Sequence, residues 1–404
     1  MNRKTKIVSI LSGIALAVII YLSLRPKEQF VIIQHPLGGQ YAGAKQCMSC
    51  HSQIHQEFIS TAHMNSTSEA SLKTVRGSFE SGENEVLLPR SSKLVMESLD
   101  TGLYQIGFQD GNIVKSQRID IVVGSGTRGQ TYLHWEGQKL IQLPVSYNAQ
   151  EHNWSPVPGS SFDNYKFRRP INAGCLNCHS THMEVIPSFN KTPEFDRQKS
   201  MLGITCERCH GPSQSHVDEM QGNHSRISLK TKNPKGMSRK QKLDLCAQCH
   251  SGTKSQTMPF HFLPGDNLQS GMIMAKIDTS NTAEVHGNQY DLLSVSKCFL
   301  NSEMTCITCH SPHRNEHNMA DLFSSRCLSC HQENSDKFCS SKSVEAKKLK
   351  SNCINCHMPV RASKVITFDN GLATQRSAEA VRSHFISINH IEAKRIADFL
   401  NNKN

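Results

Sequence analysis

A mainly α, loop-rich fold with a small inserted antiparallel β subdomain and an N-terminal transmembrane helix is the architecture this 404-residue sequence predicts. Three observations predict it. A five-residue pattern, Cys-x-x-Cys-His, recurs seven times, and six of its copies crowd between residues 175 and 357. Only 37% of residues are apolar and 6% aromatic, too few for ordinary cores between motifs so closely spaced. The one long stretch without the pattern alternates apolar and polar residues at strand period.

At the N-terminus, Met1-Asn2-Arg3-Lys4-Thr5-Lys6 precedes an uncharged apolar run of 18 residues, Ile7 to Leu24. That is about the minimum length for a membrane span, and the basic flank predicts a cytoplasmic N-terminus. Segment 1–27 is therefore read as a signal-anchor. A cleaved export signal is the alternative: Ala15-Leu16-Ala17 offers a small-residue site, although Val18-Ile19-Ile20-Tyr21-Leu22 runs on past it. Either way, the chain beyond this segment is expected to be exported.

The seven motifs are Cys47-Met-Ser-Cys50-His51, Cys175-Leu-Asn-Cys178-His179, Cys206-Glu-Arg-Cys209-His210, Cys246-Ala-Gln-Cys249-His250, Cys306-Ile-Thr-Cys309-His310, Cys327-Leu-Ser-Cys330-His331 and Cys353-Ile-Asn-Cys356-His357. Two thiols at this spacing can form thioethers to the two vinyl groups of one porphyrin, and the adjacent imidazole then reaches the iron. Zinc is the main rival, because paired Cys-x-x-Cys units also build zinc ribbons. Zinc has no need of a His after every second Cys, and here all seven pairs carry one. A thioredoxin-type redox pair is expected once, beside a βαβ pattern, and a disulfide framework predicts no His. The motifs predict seven covalently bound haem c groups, with His51, His179, His210, His250, His310, His331 and His357 as proximal iron ligands. Each porphyrin is a large apolar plate, so packed haems become the core that the side chains cannot supply.

Residues 28–74 form the first haem segment. Residues 75–169 read as a haem-free, β-rich insertion. Within it Leu103-Tyr104-Gln105-Ile106-Gly107-Phe108 alternates, Asp110-Gly111 follows, and Ile113 and Val114 resume the apolar pattern, a hairpin signal. Ile121-Val122-Val123 reads as a strand, and Thr131–Trp135 and Leu140–Leu143 flank a Glu136-Gly137 turn. The insertion either covers a haem face or serves docking and gating. Residues 170–404 read as a six-haem domain of short helices and loops. Ser238-Arg239-Lys240-Gln241 is a capping box that starts a helix delivering Cys246. The stretch Ile391–Leu400 reads as a short amphipathic helix.

The opposite face of each iron decides between carriage and catalysis. A second His saturates the iron, a Met raises its potential, and an open position admits a small molecule. Of the 21 His, fourteen lie outside the motifs, enough for bis-His ligation throughout. The leading distal candidates are His63, His216 after the Gly211-Pro212 turn, His313 in His310-Ser311-Pro312-His313, and His384, with His390 close behind it. His55, His182, His224, His261, His286 and His317 are weaker candidates, and Met64 and Met358 read as packing against porphyrin. No catalytic residue is singled out.

The formal charge is +11. Each ferric haem with neutral His ligands adds a net charge of about −1, which brings the total to about +4. The basic excess is partly a counter-charge for propionates, so no nucleic-acid partner is inferred. The run Lys230, Lys232, Lys235, Arg239, Lys240 and Lys242 is either a solvated, propionate-facing set or a dock for an acidic redox partner. Cys298 and Cys339 stand outside the motifs; a disulfide between them and two buried free thiols are the alternatives.

Thr205-Cys206-Glu207-Arg208-Cys209-His210-Gly211-Pro212 with His216, Thr305-Cys306-Ile307-Thr308-Cys309-His310-Ser311-Pro312-His313, and Cys353-Ile354-Asn355-Cys356-His357-Met358-Pro359 together cover much of 170–360. With these pieces the chain resembles the multihaem c-type cytochrome family that includes the tetrahaem electron acceptor of hydroxylamine oxidoreductase and related oxyanion reductases. The resemblance implies that His216 ligates a neighbouring haem. The apolar run and its basic flank predict an inner-membrane protein with a single N-terminal pass, or a soluble protein after cleavage; the resemblance implies that the haem domain lies in the periplasm. The expected function is electron carriage from a membrane donor to a periplasmic or outer-membrane acceptor through mostly bis-His haems. The alternative is an oxidoreductase of a small nitrogen or sulfur compound with one open haem, to which Arg128, His134, Tyr147 and His152 could supply anion-binding and proton-delivering groups.

Overall fold

The computed structural model describes residues 31–157, 167–189, 192–223, 231–252, 258–268, 283–341, 344–368 and 377–402. Gln34–Asn404 form one compact unit. The apolar run 7–24, with the anchor predicted on it, lies outside the described residues, as do His224 and Lys230. Among the described residues no helix is long and apolar enough to cross a membrane.

The mainly α expectation is overturned: the chain is about 29% helix and 27% strand, with several antiparallel sheets. The strands are β1 (Thr67–Glu69), β2 (Glu85–Leu88), β3 (Ser92–Leu99), β4 (Gly102–Gln109), β5 (Asn112–Arg118), β6 (Ile121–Val123), β7 (Gly129–Glu136), β8 (Lys139–Gln142), β9 (Val145–Asn148), β10 (Asn153–Pro156), β11 (Arg169–Pro170), β12 (Ser180–Ile186), β13 (Glu194–Leu202), β14 (Val360–Phe368) and β15 (Ser377–Arg382). One sheet runs β1-β6-β7-β8-β11, with β9 against β7 and β10 against β9; a second is the meander β2-β3-β4-β5. The other two are hairpins, β12-β13 and β14-β15, inside the region read as helix and loop.

The physical reason lies in what a motif demands. One helical turn brings both thiols and the imidazole to one side, so the motif helices stay short. They are α1 (Ala44–Cys50), followed by α2 (Ser52–Phe58), then α3 (Ala173–His179), α4 (Cys206–His210), and, past α5 (Gln214–Met220), α6 (Arg239–His250). After α7 (Gln289–Ser294) and α8 (Lys297–Leu300) come α9 (Cys306–Cys309), α10 (Ala320–Leu328), and, past α11 (Ala346–Lys350), α12 (Cys353–His357); α13 (His390–Asn401) closes the chain. The chain between motifs is free to be strand, and in two places it is.

Local signals set several elements. Asp110 and Gly111 take φ of 49° and 79°, the left-handed pair that a tight I′ hairpin turn needs between β4 and β5. Glu136 pairs with Lys139 across the β7–β8 turn, where Gly137 has φ 64°. Ser238 and Gln241 form the expected capping box at the start of α6.

The two large sheets enclose a first core of Val75, Val86, Leu94, Met96, Leu103, Ile119, Val122, Tyr132, Leu143, Val145 and Trp154. In a second core, Leu133 and Leu140 join Ala173 and Leu176 of α3, with Met183, Phe195 and Phe260. The insertion is therefore seated directly on the second motif. Gly77 closes the first core: a Cβ there would lie 2.2 Å from the Trp154 indole. Gly77→Ala is expected to destabilise the protein by about 1–3 kcal/mol through overpacking. Gly236→Ala meets nothing within 4 Å and is the neutral control. Denaturation followed by circular dichroism compares them.

Cys298 and Cys339 are both free. Cys298 is half-buried and faces Cys330 of the sixth motif, whereas the exposed Cys339 faces Cys356 of the seventh. They lie by different motifs, and only Cys298 is sheltered.

Candidate haem-binding site

Each motif presents its thiols and imidazole from a single turn of helix, and the turns are fixed by local bonds. Asn172 caps α3 by accepting from the Gly174 N–H. Thr305 and Thr308 form a reciprocal box on α9. Glu207, inside the third motif, accepts from the Ala42, Gly43 and Ser213 N–H groups at 2.8 Å each. That carboxylate ties the chain entering the first motif to the third. Arg208 beside it is buried, donates to the Asn177 carbonyl and side chain, and lies by the Cys249 thiol. It thereby joins the second, third and fourth motifs.

These contacts give the motifs an order in space that differs from their order in sequence. The Cys47 thiol lies beside that of Cys206, Cys178 beside Cys249, Cys246 beside Cys306, and Cys327 beside Cys353. Cys209 also faces Cys249, and Arg326 of α10 donates to the Cys309 carbonyl. The motifs thus run first, third, fourth, fifth, sixth, seventh. The second stands beside the fourth as a spur.

Imidazoles pair across this framework. The rings of His210 and His313, of His310 and His384, and of His63 and His250 each have centroids 6.1 Å apart. Two nitrogen–metal bonds of about 2 Å plus two ring half-widths of about 1 Å each span about 6 Å. One iron therefore fits between the members of each pair. His179 has no such ring partner among the described residues; burial is the main cause that lowers its pKa, and the charge of His286 is the next. Burial is the main cause that lowers the pKa of His63 to about 4, with His250 next; His384 is likewise lowered to about 4 by burial and then by His310. Burial also lowers His179, His286, His310 and His313. These imidazoles are neutral at pH 7, the form that binds a metal.

The ring tautomers agree. The Nδ1 of His210, His331 and His357 donates to the carbonyls of Lys232, Lys337 and Ser387, and that of His250 meets the Gln289 amide oxygen. A carbonyl only accepts, so Nδ1 carries the proton and Nε2 keeps its lone pair for iron. Thiols at thioether spacing, neutral imidazoles and iron-width pairs all fit a covalently bound haem at these motifs.

The geometry also sorts the other residues picked from the sequence. His63 follows the first motif in sequence, yet it stands against the fourth. The rings of His216 and His390 meet no motif imidazole among the described residues. Of the insertion's polar groups, His134 is held by Asp120 at 2.9 Å and Tyr147 by His152 at 3.2 Å. Arg128 pairs with Glu379, and its charge is felt by His286, one of the weaker distal candidates. That histidine ranked low in the sequence because Glu284-Val285-His286-Gly287 carries no signal. Glu207 and Arg208 were legible as motif spacers but not as clamps.

The family described as "Cytochrome c554 and c-prime" matches residues 145–211, which hold the second and third motifs. The multiheme cytochrome MtrA of Shewanella baltica (strain OS185) is 26% identical over 233 residues, 56% of this chain and 60% of the relative. The chain thus matches about three-fifths of that relative's length. Among solved structures, the outer cell wall cytochrome OcwA superposes with a TM-score of 0.55 at 16% identity, over 90% of this chain and 86% of that one. That likeness is one of fold.

Proposed function

This chain is a multihaem c-type cytochrome, and we propose that it relays electrons in the periplasm through seven covalently bound haems, one per motif. The observation that carries the reading is the set of paired imidazoles 6.1 Å apart, three times over, within an unbroken row of motifs. Haem supplies one-electron iron chemistry, with a potential set by ligand, burial and charge. The protein's residues do the rest. His63, His313 and His384 would hold the second side of the iron at their motifs and would exclude small molecules there. Arg208, Arg326 and Glu207 lock neighbouring motifs together, so little rearranges as charge passes. The apolar run Ile7–Leu24 serves export. The donor lies at the membrane and the acceptor in the periplasm or outer membrane.

A second reading, an oxidoreductase of a small nitrogen or sulfur compound, draws on one observation. The rings of His51, His179, His331 and His357 meet no second imidazole among the described residues, so an open iron would sit at one of those motifs.

Protein-film voltammetry separates the two. The relay reading expects seven one-electron equivalents and no added current with nitrite, hydroxylamine or sulfite. A catalytic current with any of them would replace it by the second reading.

A further inference from the structure

The stretch directly after the first motif holds the ring that faces the third. His313 lies in the loop between α9 and α10, where Pro312, Arg314, Asn315 and His317 are all exposed. No core fixes that loop. Yet the His313 ring stands 6.1 Å from the His210 ring, and the two planes lie within 11° of parallel. The plane of His210 is set through its Nδ1, which donates to the Lys232 carbonyl at 2.9 Å. Such a bond is the usual means of orienting an imidazole on a metal. The His313 ring makes no hydrogen bond among the described residues, so its plane is set by packing.

That ring meets Phe58 edge-on, with centroids 6.4 Å apart and planes at 74°. Edge-to-face contact at this distance is one that aromatic rings favour. Phe58 is the buried residue of α2, the helix that starts at Ser52, next to His51. Its neighbours tie down the loop. Glu57 accepts from Arg314 Nε at 2.9 Å, and the Ser60 carbonyl accepts from the Asn315 side chain at 3.1 Å. Arg314 is exposed, so that ion pair is the weaker hold and the buried ring contact the stronger. From the other side Glu316 accepts from the Ser311 N–H at 2.9 Å and from Arg326 Nη1 at 2.8 Å. Of these contacts, only the one with Phe58 reaches the imidazole itself.

We propose that Phe58 is a positioning residue for the third haem: it fixes the plane of His313 parallel to that of His210, while Glu57 and Ser60 hold the loop that carries it. The proposal rests on the reading of His210 and His313 as the two axial ligands of that iron. Parallel ligand rings act on the same iron d orbital and split it widely from its partner, whereas crossed rings act on both and narrow the split. A ring held in one plane also moves little when the iron changes charge, which suits a relay site. The helix that follows the first motif thus sets the ligand field of the third haem, its neighbour in the row.

Ferric electron paramagnetic resonance of the full haem-loaded chain tests this. His313→Ala is expected to turn one low-spin iron high-spin, and the low-spin signal it removes is that of the third haem. Phe58→Leu is expected to keep that iron low-spin, shift its signal to a larger principal g value and leave the other haems unmoved. A purely structural role for Phe58 would lower the midpoint of denaturation and leave the signal in place, and that result overturns the proposal. A shift at a different haem overturns it too. Should Phe58→Leu fail to retain its haems, Arg314→Met with Asn315→Ala decides, since both side chains are exposed and their ties to the α2 segment are lost. The same shift then supports the proposal, and an unchanged signal overturns it. If His313→Ala leaves every iron low-spin, His313 is no ligand, and the paired-ring reading falls together with the proposal. An unmoved signal in Phe58→Leu beside a high-spin iron in His313→Ala overturns the proposal alone.

Discussion

Replacing His63 with Met is expected to raise the potential of one haem by about 0.2 V and leave the rest nearly unmoved. His63 stands 6.1 Å from His250, so it is the residue placed to complete the fourth motif's ligation. Axial ligands span about 0.8 V of haem potential, and Met in place of His moves it upward. At 59 mV per tenfold for one electron, about 0.2 V shifts the population of that site by about a thousandfold. The fourth motif is the junction of the framework, next to the second, third and fifth. An electron caught there stops the whole row. Potentiometric titration reads the shift, and stopped-flow reoxidation of the reduced protein reads the stall. If the haem that responds belonged to the first motif, which is nearer in sequence, the pairing of His63 with His250 would be wrong.

Removing the attachment thiols of that junction has a larger structural effect. Cys246→Ala with Cys249→Ala is expected to yield a chain with one haem fewer, and a much less stable one. Aromatic side chains bury at most about 250 Å², a porphyrin buries more, and at about 25 cal/mol per Å² its loss costs about 6 kcal/mol or more. That exceeds most substitutions by a wide margin. The pair Cys327→Ala with Cys330→Ala removes a haem from the sixth motif, where Cys330 and His331 are exposed, and is expected to cost less. Haem content per chain and the midpoint of chemical denaturation report both outcomes. Equal losses of stability at the two motifs would argue against a central fourth haem.

Features were legible in the sequence wherever the constraint on them is local. The motifs were legible because thioether and iron chemistry fixes Cys, Cys and His within five residues. The β4–β5 hairpin was legible because few dipeptides besides Asp110-Gly111 tolerate two positive φ values in a row. The cap on α6 was legible because Ser238 and Gln241 satisfy each other's backbone groups locally. The strand content was misjudged because a haem motif leaves the chain beyond it unconstrained. Ser180–Ile186 could have continued α3 as helix, but it leaves His179 as β12 and pairs with β13. The imidazole partners were the hardest to read. His63 lies twelve residues from His51 and finds its partner at His250. Such pairings are decided by packing of whole segments, as when Leu133 and Leu140 seat the insertion on Leu176. No local pattern encodes them.

The most direct test of the account is the electron paramagnetic resonance and absorption spectrum of the ferric protein, before and after nitrite, hydroxylamine and sulfite, with carbon monoxide added to the reduced form. The account predicts low-spin iron throughout, unchanged by any of these ligands. A high-spin fraction near one iron in seven that shifts when a ligand is added would contradict it, and would make this cytochrome an enzyme with an open haem.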